Sequence, residues 1–519
     1  MNSPTMSSAG HLPNATSVSM RLGRLQFHRS GKFRVLQVAD IQEGVKVSAD
    51  MIHLLQKACD EARPDLVIFT GNQIKGYDKA FAPTFRNRRW ASGWNSAYSA
   101  TVQVAGGAAD TLKKVMAGNQ PEAAGASRLP VDPLEHTRKL VREQAEQFLK
   151  PLIERHIPFA ITYGNHDFQC GLSTAELDAI YRQFPGCLNP EAGEKRSVAI
   201  SGQYVPASGM SRQVAYGVEP GTFALPVWDL PNNTAEDLSV RVARAVYHGA
   251  IPSQAEAQQA QENKDDAPAL NLVVLNSGDY AREGGYGTPS ERALEWLRQL
   301  PQIISTDQSA ASAIPAALFQ HFPLPQYYDL LLRVEPTHDG AIQGYRTHGQ
   351  NCYVLNPELV EEGSKLGEGI SCPDEDCGEY DILRATHVGA IFTGHDHRNA
   401  FVGRLPKSSV KMCATPTSGF GSYGPPAAER AIRLVEFDIR HPEAPRTQLL
   451  YFADIVGETP GSRSVYTFVN SHVPVNVAQT KDALRKSGKV AKKAAGVAAG
   501  LALLAGALTA VGARLRGKK

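Results

Sequence analysis

Short apolar runs recur along the chain, and each ends in small or polar residues. Such runs are typical of strands buried on both faces of a sheet. They are Phe33–Ala39, Leu66–Thr70, Phe159–Thr162, Leu272–Asn276, Ala316–Phe319 and Gly389–Thr393. Between several of them lie amphipathic stretches with helical spacing, namely Ala49–Ala62, Thr137–His156, Thr174–Phe184 and Ser290–Leu300. This alternation predicts an α/β fold with layered sheets.

The same pattern suggests domain limits. Three late runs predict closing strands, at Val410–Cys413, Ala431–Ile439 and Gln448–Phe452. We therefore place one domain at residues 31–455, after a polar tail at residues 1–30. Two segments without the strand–helix rhythm, about 85–132 and about 191–267, predict insertions or mobile loops. Residues 456–493 form a predicted linker and basic segment.

The C-terminal segment 494–513 is uncharged and has basic residues on both sides. Twenty such residues are long enough to cross a bilayer as a helix. They are mostly Ala and Gly with only four leucines, which weakens insertion. Three interpretations stay open: a transmembrane anchor, a surface-lying or partner-binding helix, and an Ala-rich tail without membrane contact.

Composition narrows the function classes. The chain has 519 residues, of which 42% are hydrophobic and 20% charged, so it is globular and not disordered as a whole. Its 54 Lys+Arg against 52 Asp+Glu give a net charge of +2, so no nucleic-acid partner is expected. Seven cysteines without a CxxC pair favour a reducing compartment over a disulfide framework. With no signal-peptide pattern in residues 1–30, we expect a cytoplasmic protein, free or anchored to a membrane by its C-terminus.

Polar clusters follow five of the predicted strands. His395 and His397 frame Asp396 after one strand, Asn165-His166-Asp167 follows another, and Asp40, Asn72 and His321 each follow one more. Each has an ordinary alternative, such as a surface loop for the paired histidines, a core histidine for His321 or a helix cap for Asp40. Because strand ends share one edge of a sheet, their joint occurrence predicts a single crevice with metal-binding side chains.

In this order the clusters resemble the calcineurin-like metallophosphoesterases, whose pattern is DxH, GD, GNH[DE], a lone His and GHxH. The resemblance is closer to the purple-acid-phosphatase-like branch and spans about Phe33 to Phe437. Its further motifs are Leu275–Tyr280, Gly285–Gly287, Phe319–Pro325, Glu368–Ile370 and Phe392–His397. The resemblance implies a four-layer α-β-β-α sandwich with insertions.

It also implies a two-metal centre at which a metal-activated hydroxide attacks phosphorus. One ion would bind Asp40, Gln42 and His397, the other Asn165, His321 and His395, with Asn72 as the bridge. His166, oriented by Asp167, would serve the leaving group or the phosphate. The divalent ions would be manganese, iron or zinc, one or two per chain. The function implied is a metal-dependent phosphoric ester hydrolase, a phosphatase or phosphodiesterase, acting on a phosphorylated small molecule or protein.

Two positions depart from the family pattern. Gln42 stands where the pattern has His, and Asn72 stands where it has the bridging Asp. Carboxamide oxygens can coordinate a cation but neutralise none of its charge. We expect one ion to be held better than the other, with Glu43 or Asp78 as a possible substitute carboxylate. The alternative function is a catalytically impaired phosphoesterase-fold protein that binds a phospho-ligand or a partner at a membrane.

One glycine-rich motif needs a separate interpretation. Gly419–Gly424 matches GxGxxG, but two prolines follow where a dinucleotide-binding helix would begin. We predict that it forms the rim of the crevice. Cys372 and Cys377 lack the second cysteine pair that a zinc site would need.

Overall fold

The computed structural model describes residue 19 and residues 22–90, 132–192, 195–197, 212–229, 268–304 and 314–457. The predicted C-terminal segment 494–513, most of the linker and most of the first predicted insertion lie outside these ranges. Within them, no helix is both long and apolar enough to cross a bilayer. All seven cysteines lie in the described ranges, and none forms a disulfide.

Two large sheets form the centre of the molecule. Five strands, in the order β16-β15-β1-β2-β3, make the first sheet. They are β1 (Lys32–Val38), β2 (Leu66–Thr70), β3 (Phe159–Thr162), β15 (Ala431–Asp438) and β16 (Arg446–Tyr451). Strands β1, β2 and β3 are parallel to one another, whereas β15 pairs antiparallel with both β1 and β16. The parallel strands bring their carboxyl ends to one edge.

The second sheet has eight strands in the order β13-β14-β12-β8-β7-β6-β5-β4. These are β4 (Lys195–Ser197), β5 (Val214–Glu219), β6 (Thr222–Trp228), β7 (Pro268–Leu275), β8 (Ala316–Gln320), β12 (Val388–Thr393), β13 (Phe401–Arg404) and β14 (Lys411–Ala414). Its central strands β7, β8, β12 and β14 are parallel. A small separate sheet consists of β9 (Leu331–Val334), β10 (Ile342–Gln343) and β11 (Cys352–Leu355).

Helices cover the outer faces of both sheets. Helices α1 (Ala49–Ala62), α2 (Pro133–Glu154) and α3 (Thr174–Tyr181) share an apolar cluster with the first sheet. Helices α4 (Glu291–Ile304) and α5 (Glu379–Ala385) share another with the second sheet, and a short helix, α6 (Phe452–Ile455), follows β16. A third cluster contains alternate residues from both sheets, including Val35, Ile68 and Leu272, and fills the space between them. The predicted four-layer α-β-β-α sandwich is confirmed.

Several predicted boundaries differ from the structure, and two of these differences have a clear physical cause. Helix α2 begins four residues before Thr137, because Asp132 caps it through the backbone N–H of Leu134 and Pro133 suits the first turn. Strands β5 and β6 fall inside the predicted insertion 191–267. They extend the second sheet as an antiparallel hairpin, since Gly221 supplies the left-handed turn between them.

Candidate active site

The predicted site residues meet at the edge where the parallel strands of both sheets end. Asp40, Asn72, Asn165, His321, His395 and His397 are all buried, and His166 is partly exposed. Of the nine non-glycine residues with positive φ in the described ranges, four lie here: Asp40, Gln42, Asn72 and His395. Such backbone conformations are costly for residues with a side chain and persist only where surrounding contacts impose them.

Asn165, His321 and His395 form one half of the site. His321 Nδ1 lies 2.8 Å from the carbonyl oxygen of Thr70. A carbonyl only accepts, so Nδ1 carries the proton and Nε2 presents a lone pair to Asn165 Oδ1 at 3.1 Å. Burial lowers the pKa of His321, which keeps the ring neutral. His395 Nε2 is also buried and has no hydrogen-bond partner. Oxygen and imidazole-nitrogen lone pairs that face the same space are what a cation site requires, so these three residues fit one ion.

Asp40 and His397 form the other half. His397 Nδ1 donates to the carbonyl oxygen of Tyr423 at 2.6 Å, so its Nε2 presents a lone pair to Asp40 Oδ1 at 3.4 Å. Asp40 Oδ2 accepts from the backbone N–H of His395 at 2.7 Å, and Asp40 Oδ1 accepts from Asn72 Nδ2 at 3.0 Å. Gln42 donates from Nε2 to the hydroxyl of Tyr77, and its buried Oε1 has no partner. In this half, too, acceptor atoms of neighbouring side chains face one another.

Asn72 lies between the two halves, with its nitrogen toward both. Its Nδ2 donates to Asp40 Oδ1 at 3.0 Å and to Asn165 Oδ1 at 3.2 Å, while its Oδ1 accepts from the backbone N–H of His166 at 2.8 Å. The orientation is fixed by chemistry, because the backbone N–H can only donate and a carboxylate only accepts. An N–H group therefore occupies the position of the bridging anion. The residues fit a single cation, not a pair.

The candidate ligands carry little negative charge. In the described part of the chain, no three His, Cys, Asp or Glu side chains are grouped to hold a metal ion. Each half of the site relies on a carboxamide, from Asn165 or from Gln42, to complete its set. Asp40 is the one predicted ligand with a negative charge, so the site neutralises little of the charge of a second ion.

Asp167 does not orient His166, and this part of the prediction is wrong. The Asp167 carboxylate accepts backbone N–H groups of Asn72 at 2.7 Å, Gly164 at 2.8 Å and Ile74 at 3.2 Å. The partner of His166 Nδ1 is Gln169 Oε1, at 2.8 Å, which a 3₁₀ turn over Asp167–Cys170 brings beside the ring. The spacing of three residues is the only sequence signal that points to Gln169.

Asp167→Asn is expected to lower the free energy of unfolding by about 1–3 kcal/mol, because the new amide would point one N–H toward another donor. Urea unfolding followed by tryptophan fluorescence measures this loss. Asp381→Asn is the control, since Asp381 is largely exposed. Equal unfolding midpoints for the two variants would contradict the structural role of Asp167.

Neither predicted substitute carboxylate is available. Glu43 accepts from the Ser48 hydroxyl at 2.7 Å and from the backbone N–H of Phe420 at 2.8 Å. Asp78 caps a short 3₁₀ turn through the backbone N–H of Ala80. Both carboxylates are used to hold loops, so the expected rescue by Glu43 or Asp78 is wrong.

The glycine-rich loop lies beside the site, on the β1 side. Thr417 Oγ1 donates to the carbonyl oxygen of Asp40 at 2.6 Å, and Ser418 N donates to that of Ala39 at 2.9 Å. Tyr423 supplies the carbonyl that fixes His397 and stacks on its ring at 4.2 Å between centroids. The loop thus positions one half of the site.

Tyr280 ends one of the motifs that carry the resemblance, but the sequence did not predict its contact with a candidate metal ligand. Its hydroxyl accepts a hydrogen bond from Asn165 Nδ2 at 2.8 Å, which directs Asn165 Oδ1 toward His321. Tyr286, stacked on Tyr280, lies edge-on to His395 with ring centroids 4.3 Å apart. These aromatic rings form the wall of the site on the second sheet and exclude water from it.

Comparison with known proteins places these features in context. No family model matches the chain. It is 21% identical over 441 residues to "Probable inactive purple acid phosphatase 29" of Arabidopsis thaliana, covering 80% of this chain and 79% of that protein. It is 22% identical over 434 residues to "Probable inactive purple acid phosphatase 28" of the same plant, covering 79% and 77%. Identity to "Phosphatase DCR2" of Saccharomyces cerevisiae is 21% over 377 residues, covering 69% of this chain and 46% of that protein.

Proposed function

Because this chain belongs to the purple-acid-phosphatase-like branch of the calcineurin-like metallophosphoesterases, with two altered metal-ligand positions, we propose that it hydrolyses phosphoric esters with one divalent cation instead of two. The observation that carries the proposal is the position of Asn72. Its N–H group donates toward both halves of the site, at the place where a bridging anion would have to accept two ions. Two divalent ions a few ångströms apart repel strongly without a bridging anion.

Asn165, His321 and His395 would hold the ion, since Asn165 Oδ1 lies 3.1 Å from His321 Nε2, the centroids of the His321 and His395 rings are 5.0 Å apart, and His395 Nε2 has no partner. Imidazole with carboxamide oxygen suits manganese, iron or zinc. When bound, the ion would neutralise charge on the phosphoryl oxygens and make water a better nucleophile. A single ion stabilises less transition-state charge than two, so slow turnover follows.

His166 would hold a proton of the attacking water or of the phosphoryl group at its Nε2. Gln169 donates from Nε2 to the carbonyl oxygen of Asn87, so its Oε1 is the acceptor for His166 Nδ1–H. His166 Nε2 is therefore the bare nitrogen. Burial lowers the pKa of His166 to about 4, which makes it a weak base that is neutral at pH 7.

A cavity of about 330 Å³ beside Tyr280 has room for the leaving group. Arg89, Asp279, Asn276 and Glu219 are among its lining residues. Their hydrogen-bonding side chains favour a polar alcohol over a lipid chain. The proposed substrate remains a phosphorylated small molecule or protein.

A second candidate is a phosphoesterase-fold protein that binds a phospho-ligand or a partner without turnover. The Asn72 N–H group favours it, since the same contacts that exclude a second ion could exclude catalysis. Two of the relatives also carry the word "inactive" in their names. Attachment to a membrane would depend on residues 494–513, outside the described ranges.

The test is the metal content of the full chain, together with hydrolysis of p-nitrophenyl phosphate and its bis-ester under added manganese. We expect about one ion per chain, and His395→Ala to reduce both occupancy and turnover by a factor on the order of 100. His338→Ala is the control, because it removes an exposed histidine that is not one of the site residues. A metal-bound protein without turnover above His395→Ala would favour the second candidate, and two ions per chain would overturn the single-ion proposal.

A further inference from the structure

Arg88 lies at the entrance of the candidate site and stacks on Tyr280, one of the aromatic rings that form the wall of the site. Its guanidinium carbon is 3.6 Å from the centroid of the Tyr280 ring. The hydroxyl of that same ring accepts the hydrogen bond that orients Asn165. The guanidinium is thus separated from a proposed cation ligand by a single aromatic side chain.

A second set of contacts connects Arg88 to His166 through Asn87 and Gln169. Arg88 Nη1 donates to the carbonyl oxygen of Asn87 at 3.0 Å, and Gln169 Nε2 donates to the same oxygen at 3.3 Å. Gln169 in turn fixes His166 through Nδ1. Stacking from one side and this shared carbonyl from the other restrict the guanidinium, so little freedom is lost when it binds a ligand.

Arg88 interacts electrostatically with Asp279 but does not pair with it. In the described ranges no carboxylate forms an ion pair with Arg88, and the ion pair of Asp279 is with Arg89. Arg88 Nη1 instead contacts the oxygens of Asn87, which are neutral. A fixed, planar cation without an ion pair among the described residues, beside a proposed phosphate site, is suited to bind phosphoryl oxygens.

We infer that Arg88, stacked on Tyr280, forms an anion subsite that binds the phosphoryl group of the substrate. The inference rests on the proposed function for the identity of the substrate. With one divalent cation the site offers two positive charges where two cations would offer four. Arg88 adds a third, over the ring of Tyr280.

Inorganic phosphate, titrated calorimetrically into manganese-loaded full chain, is the direct probe. We expect Arg88→Met to raise the Kd for phosphate, and the KM for p-nitrophenyl phosphate, by about ten- to a hundredfold, as loss of a charged hydrogen bond does. Arg88→Lys should recover only part of the affinity, because an ammonium neither stacks nor forks. Arg29→Met removes the same charge from an exposed turn before β1, at the opposite edge of the sheet, and should change neither constant.

The outcomes distinguish the Arg88 subsite from the proposed hydrolase function. If the parent protein binds phosphate and Arg88→Met binds it equally well, with the metal content of both unchanged, the subsite is wrong and the proposed function stands. If the parent protein binds phosphate but does not hydrolyse the ester, and Arg88→Met loses the binding, the subsite stands and the hydrolase fails. A third outcome is that Arg88→Met loses metal or unfolds at a lower urea concentration, while Arg88→Lys binds phosphate as tightly as the parent protein. That result would show a merely structural role for Arg88 and overturn the inference.

Discussion

Replacing Asn72 by Asp together with Gln42 by His is expected to raise the metal content from about one to about two ions per chain. We expect hydrolysis of p-nitrophenyl phosphate under added manganese to increase by about a hundredfold. The reason lies in the Asn72 amide, whose nitrogen now donates toward both halves of the site. A carboxylate there would turn an acceptor toward both ions and lower their mutual repulsion.

The structure indicates that the aspartate would be accommodated. The Asn72 oxygen that accepts from the backbone N–H of His166 would be kept, because a carboxylate accepts equally well at that place. Without metal, however, the new carboxylate would face Asp40, so the variant should bind its ions with more dependence on pH than the parent. Metal analysis and turnover are the two measurements.

The matched control adds His395→Ala to the double variant. If turnover arises at the predicted centre, this third change must abolish the gain, whereas His338→Ala must leave it intact. Unchanged stoichiometry in the double variant would contradict the interpretation that Asn72 is what prevents the binding of a second ion.

Gly419→Ala is expected to destabilise the protein by about 3 kcal/mol or more. A Cβ at position 419 would lie 1.6 Å from the carbonyl oxygen of Ile41, and that oxygen belongs to backbone that cannot rotate away. The loop would have to separate from the β1 end, where the Thr417 hydroxyl and the backbone N–H of Gly419 both donate to the carbonyl oxygen of Asp40. Metal binding should therefore weaken along with stability.

Urea unfolding, compared with Gly287→Ala, checks this expectation. The nearest atom to a Cβ at position 287 is 3.7 Å away, an ordinary contact, so that variant should unfold close to the parent. If Gly419→Ala unfolds at the same urea concentration as Gly287→Ala, the close approach of the two loops is wrong.

Several features of the site could not be predicted from the sequence and were found only in the folded structure. The sequence places Asn72 at the bridging position, but only the backbone N–H of His166 decides which way its amide points. Glu43 and Asp78 look available in the sequence, yet each is used to hold a loop. The assignment of Asp167 to His166 failed for the same reason, because three backbone N–H groups compete for its carboxylate.

The contact of Arg88 with Tyr280 is the clearest example of one that no sequence pattern predicts. It lies in a segment predicted as an insertion, and its partner Tyr280 is almost two hundred residues away along the chain. Strands β5 and β6 were missed within the second predicted insertion, because their alternation is short and the segments around them are polar.

The sequence alone determined the layers and the edge at which the chemistry lies. Apolar runs specify buried strands, helical spacing specifies the covering layers, and polar residues after parallel strands must meet at one edge. Tertiary structure decided which acceptors remain unpaired, how Asn72 is turned and that the Arg88 guanidinium stacks on Tyr280. Those properties depend on hydrogen bonds between loops distant in sequence, whose directions local patterns do not specify.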